Sequence, residues 1–101
     1  MIFGNKPGSN MTKSGSQSFF SDGSITTRMG NTMYDGLKIS VQTDNALFTP
    51  NGIVSHTGNA FYTNKGLYTR SGNTLFGPNG AMWSGIESDD DCLTIINHDL
   101  K

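Results

Sequence analysis

A fourteen-residue phrase that occurs twice in succession constrains this chain more than any other feature. Residues 57–70 read TGNAFYTNKGLYTR and residues 71–84 read SGNTLFGPNGAMWS. Gly58 aligns with Gly72, Asn59 with Asn73, Phe61-Tyr62 with Leu75-Phe76, and Gly66 with Gly80. The same frame runs back through 43–56, 29–42 and 15–28, giving five tandem units with atypical segments on either side. Such an array needs one structural unit per period and terminal segments that cap it.

Each unit holds two turn signals. The first is Gly30-Asn31, Asp44-Asn45, Gly58-Asn59 and Gly72-Asn73, where Gly supplies the positive φ that opens a type II′ hairpin turn. The second is Pro50-Asn51-Gly52, Asn64-Lys65-Gly66 and Pro78-Asn79-Gly80, with Asp22-Gly23 in the first unit. There Pro presets φ and Gly takes a left-handed bulge position. Strands of only four or five residues fit between them. Gly or Pro interrupts every window up to Gly85, so no helical periodicity is sustained. Downstream, Cys92-Leu93-Thr94-Ile95-Ile96 reads as a final strand and Glu87–Asp91 as a solvated acidic loop.

The expected fold is all-β, an antiparallel meander of about eleven or twelve short strands. The alternative is a small two-sided β-solenoid in which Asn31, Asn45, Asn59 and Asn73 stack as a ladder. The meander is favoured because both turns carry hairpin chemistry. One domain spans 1–101: an N-terminal partial unit and connector at 1–14, five repeats at 15–84, and an acidic C-terminal cap at 85–101. Neighbouring apolar residues such as Phe61-Tyr62 must point to opposite faces of a strand, so a single flat sheet leaves one apolar face wet. The chain must therefore roll up, pack against a copy, or dock on a partner; self-association is the first expectation.

Composition narrows the function classes. Apolar residues make up 34% and charged residues 15%, with net charge −1, which offers no global field for nucleic acid or an anionic membrane. The single cysteine, Cys92, excludes an internal disulfide and fits a reducing compartment, so a cytoplasmic location is expected. No signal peptide or membrane span is visible. His56 and His98 stand apart, and the one group near ligand spacing, Cys92, His98 and Asp99, is too weak to be expected to hold a metal. No nucleophile elbow or phosphate-cradling loop occurs, so neither enzymatic activity nor a cofactor is expected.

Two sets of residues stand out as candidate contacts. The sixth repeat position is aromatic throughout (Phe20, Tyr34, Phe48, Tyr62, Phe76) and reads as the core of the repeat or as an oligomer interface. Tyr68 and Trp83 fall irregularly in the other half-unit and read as exposed binding residues. The last repeat position gives Arg28, Gln42, His56, Arg70 and Ser84, a basic line that reads as a solvated edge; phosphate contacts through Arg28, His56 and Arg70 are the weaker reading.

The units Gly-Asn-Thr-Met-Tyr-Asp-Gly, Gly-Asn-Ala-Phe-Tyr and Gly-Asn-Thr-Leu-Phe-Gly-Pro-Asn-Gly resemble the tandem Gly-Asn-Thr-aromatic, Asp-Gly repeats of poorly characterised bacterial and phage proteins. The resemblance covers residues 15–84 and implies a small β-repeat of bacterial or mobile-element origin, with no activity attached. The expectation is a non-enzymatic protein-binding or structural module, acting by assembly or by binding and blocking a host protein. A carbohydrate-binding module using the aromatic rows is the alternative, and ice binding is disfavoured because Asp35, Ala46, Ala60 and Gly77 break the Thr columns.

Overall fold

The computed structural model describes residues 1–100. Its strands are β1 (Phe3–Gly4), β2 (Met11–Ser14), β3 (Gln17–Phe20), β4 (Ile25–Met29), β5 (Thr32–Asp35) and β6 (Lys38–Gln42), then β7 (Ala46–Thr49), β8 (Gly52–Thr57), β9 (Ala60–Thr63), β10 (Gly66–Ser71), β11 (Thr74–Phe76) and β12 (Met82–Ser84). One helix, α1 (Asp89–Asp99), follows. From β2 to β12 each strand pairs antiparallel with the next, and β1 returns to pair with β12. Ile2 and Met11 exchange reciprocal backbone hydrogen bonds of 2.8 and 2.9 Å, which draws the two sheet ends together into a nearly closed barrel. The solenoid alternative fails, because every pairing is antiparallel and no coil stacks on the next.

The turns follow their sequence chemistry. Gly30, Gly58 and Gly72 have φ of 60, 56 and 58°, while the Asn after each stays outside the left-handed region, as a II′ turn requires. The Asn column does not stack as side chains. Instead the backbone carbonyls of Asn31, Asn45 and Asn59 accept the N–H groups of Gln42, His56 and Arg70 at 2.7, 2.7 and 2.8 Å, tying each turn to the next hairpin. At the other end of the strands, the Thr49 and Thr63 hydroxyls donate to the carbonyls of Gly52 and Gly66 at 2.7 and 2.9 Å.

The inward face is an unbroken column with a seven-residue step: Met33, Ser40, Leu47, Val54, Phe61, Tyr68 and Leu75, each at most 2% exposed. One extra residue in the turn after β3 and another before β12 shift the step to eight, so that Ser18, Thr26 and Trp83 also face inward. That slip corrects the aromatic column. Phe20 points inward at 4% exposure and its neighbour Phe19 outward, whereas Tyr34, Phe48, Tyr62 and Phe76 all point out. The regular aromatics are thus not the core of the repeat.

Twelve strands enclose a lumen wider than wall side chains alone can fill, since about eight strands is the size that they fill. Helix α1 occupies it. Asp91 to Asn97 are buried in unbroken succession, the mark of a helix enclosed on every side. Eleven helical residues rise about 16 Å, matching a wall of four- to five-residue strands at about 15 Å. Midway down the lumen, the Ser40 hydroxyl donates to Asn97 Oδ1 at 2.7 Å.

This corrects two expectations. Cys92–Ile96 is helical rather than a strand, and Asp89–Asp91 of the acidic run form the first turn of the helix rather than a solvated loop, with only Glu87 and the N-cap Ser88 left before it. Short apolar runs are ambiguous by periodicity, but a helix-start signal stands before this one: Ser88-x-x-Asp91. Ser88 is the N-cap, its hydroxyl accepting from Asp91 N, while Asp91 Oδ2 accepts from Glu87 N at 2.9 Å. Three aspartates in the first turn also suit the positive end of the helix dipole.

Candidate functional site

Alternation sends every acidic, basic and histidine side chain on the strands (Lys13, Arg28, Asp35, Lys38, His56 and Arg70) to the inward side, at the ends of the barrel. At the mouth formed by the Gly-Asn turns, Lys13, Arg28, His56 and Arg70 grip the start of α1. Arg70 Nη1 lies 2.9 Å from Asp89 Oδ1, His56 Nε2 3.6 Å from Asp89 Oδ2, and Arg28 Nη2 3.4 Å from Asp90 Oδ1. Arg28 also donates to Gln42 Oε1. Lys13 reaches Asp91, whose side chain is only 4% exposed, at 2.8 Å and Glu87 at 3.1 Å. Arg70 donates from Nε to the Gly72 carbonyl, His56 Nε2 meets the Gly58 carbonyl, and the His56 ring stacks on Phe61 at 4.3 Å. The basic line is therefore no solvated edge. The structure brings Arg28, His56 and Arg70 together, but as a collar around the helix; Ser84, after the register slip, faces out.

At the opposite mouth, an open cleft of about 520 Å³ is lined by Lys6, Lys65, Tyr68 and Asp99 among others. Its polar groups already serve one another: Lys6 and the Tyr68 hydroxyl both bind the Asp99 carboxylate, and Lys65 donates to the Asp99 carbonyl at 2.8 Å. Burial and then the Asp99 carboxylate push the Tyr68 phenol well above its ordinary range. Nearby, His98 stacks on Phe20 at 3.8 Å and meets Asp22 Oδ2 at 2.8 Å. Cys92 is fully buried, and burial pushes its thiol up to about 12. Cys92, His98 and Asp99 thus face separate surroundings, and among the described residues no Cys/His/Asp/Glu group is arranged to hold a metal ion.

Tyr68 and Trp83 are core residues, 0% and 1% exposed, with ring centroids 6.1 Å apart. The reading of both as exposed contacts is corrected: both side chains point inward and lie in the core. Gly4 and Gly77 make room for these rings: a Cβ at Gly4 would lie 2.7 Å from Trp83, and one at Gly77 3.0 Å from Tyr68.

What remains free is the outer wall, and it carries no charged strand residue. On it, Phe19 sits opposite Ile25, Tyr34 opposite Ile39, Phe48 opposite Ile53, Tyr62 opposite Leu67, and Phe76 opposite Met82. These ten side chains are 37–53% exposed and form a belt around the barrel towards the Asp99 mouth. Val41, opposite Phe48 on its other side, widens it. Monomeric proteins rarely expose contiguous apolar patches beyond a few hundred Å². No helix among the described residues is long and apolar enough to cross a membrane. The longest strands, of six residues, fall short of the roughly nine to eleven that a spanning strand needs. Comparison of the chain with protein-family models, with curated proteins and with solved structures yields no match.

Proposed function

We propose that this protein is a non-enzymatic binding or structural module whose working surface is the outer wall of the barrel. The observation that carries the reading is the exposed belt of Tyr34, Phe48, Tyr62 and Phe76 with their aliphatic partners. The lumen is filled by a helix, and the polar groups around the mouths are largely engaged in holding that helix. Apolar, uncharged and rigidly repeated, the belt suits a protein surface more than a charged ligand. In the setting that the repeat resemblance implies, the module is a phage or mobile-element product in a bacterial cytoplasm that assembles or blocks a host protein.

The test is comparative affinity capture from bacterial lysate with the wild type and with Phe48→Glu. A bound protein that the wild type retains and the variant loses supports the reading. A wild type that retains nothing and does not self-associate, or capture indifferent to Phe48→Glu, removes it. The same exposed rings favour glycan stacking as a second reading, for which a panel titrated against the ring resonances of Tyr34 and Tyr62 is the measurement. Fluorescence of the buried Trp83 is a poor reporter there.

A further inference from the structure

Resting on that reading of the outer wall, we infer that the occupant of the belt is a second copy of this chain, seated wall against wall. The first argument is electrostatic. Two identical surfaces bearing charge repel unless the charges interleave, whereas this wall places Lys13, Arg28, Asp35, Lys38, His56 and Arg70 on its inner side and shows only uncharged side chains outside. A neutral apolar face is compatible with itself at any register, and it offers a charged partner nothing to recognise.

The second argument is area. Over β5 to β10, the outward residues Tyr34, Ile39, Phe48, Ile53, Tyr62 and Leu67 are 38–53% exposed. With side chains of roughly 200 Å², they show on the order of 100 Å² each. Because the twelve strands curve round a body of 29 × 26 × 21 Å, a second convex wall meets about three strands at a time, roughly 400 Å² with the Ala, Ser and Thr between, which is the low end of interface size and suits a weak association that builds with concentration. The third argument is relief. Rings on every second strand stand about 9.6 Å apart, with aliphatic side chains on the strands between. A copy displaced by one strand sets its rings over those aliphatics. Because the belt continues past any one contact, from Phe19 round to Met82, more than one neighbour can be seated.

Light scattering coupled to gel filtration, from micromolar to near-millimolar protein, tests this. The expected result is a mass at or above twice 10.9 kDa that persists in about 1 M salt, where charge pairs are screened within ~3 Å. Phe48→Glu and Tyr62→Lys, both outward and so compatible with the fold, should each weaken association at least tenfold while leaving the far-ultraviolet circular dichroism unchanged. Wild-type monomer at every concentration overturns the inference, as does an oligomer that both variants preserve or that salt dissolves. A monomer whose capture of another protein is lost in Phe48→Glu overturns the second copy alone and keeps the wall as a binding surface. A monomer with no variant-sensitive capture overturns both.

Discussion

Asp91 is the most exacting residue in the molecule, a carboxylate with a side chain 4% exposed, buried at the charged mouth of the barrel. Lys13 at 2.8 Å supplies its counter-charge and the Glu87 N–H donates to it at 2.9 Å. Lys13→Met leaves that carboxylate without its counter-charge and, with the lysine 38% exposed and partly screened by water, should lower unfolding stability in urea by about 1–2 kcal/mol, with Lys13→Arg recovering most of it. The hydrogen bond to Asp91, against some burial, raises the lysine pKa. Its contribution is therefore complete below the ordinary lysine range and is lost as pH climbs through the raised value. The opposite case is Thr26, 2% exposed, whose hydroxyl has no hydrogen-bond partner among the described residues. Thr26→Val removes an unmet polar group at nearly constant shape and should raise stability by about 1 kcal/mol in the same assay. Neither role was legible in the sequence. Lys13 and Thr26 sit in ordinary alternating strands, and only the helix behind them gives their side chains a partner or denies one.

At the scale of elements, the hairpins were legible and the helix was not. Glycine before asparagine and proline before asparagine fix turns whose dihedral requirements are local, so the strands fall where the punctuation puts them. For Cys92–Ile96 local preference is indecisive, and burial on all sides removes the one-sided periodicity by which helices are recognised. The end of that helix is anchored to the turn after β3. Asp22 receives His98 at 2.8 Å and the Ser24 N–H at 2.9 Å. Burial alone would raise its pKa, but the Ser24 hydrogen bonds, then the His98 hydrogen bond and charge, outweigh it and hold the carboxyl at about 2, below its usual 3.8. The anchor therefore contributes above the ordinary carboxylate range and is lost as pH falls from near 4 towards 2. Acid titration of stability should show this limb in the wild type and lose part of it in Asp22→Asn. The turn at Asp22-Gly23 is visible in the sequence; its partner, 76 residues away, is not.

For the whole molecule, α1 and the barrel share one buried cluster, which runs from Met11, Phe61 and Trp83 of the wall to Cys92, Ile95 and Ile96 of the helix, and they should unfold as one cooperative unit. Cys92 reports on that unit, being inaccessible and held as a thiol with a pKa near 12. A thiol reagent at neutral pH should label it only through global opening, at a rate that rises with urea in step with the unfolding equilibrium. Rapid labelling without denaturant would mean that the helix leaves the barrel independently. The same enclosure explains the candidate site. With the lumen filled and the strand charges turned inward, the remaining apolar side chains have only the outer wall to occupy.

By itself the sequence determined the period, the turns and the alternation of two faces, because each depends on neighbours a few residues apart. It also held, in the unbroken seven-residue column from Met33 to Leu75, the line that became the interior. Only the tertiary structure decided which of two apolar faces is inside. Alternation makes the faces distinct without ranking them; closing the barrel gives one a concave side, and the helix then fills it. That single choice buried Tyr68 and Trp83, turned Arg28, His56 and Arg70 onto the helix, and left Tyr34, Phe48, Tyr62 and Phe76 facing out.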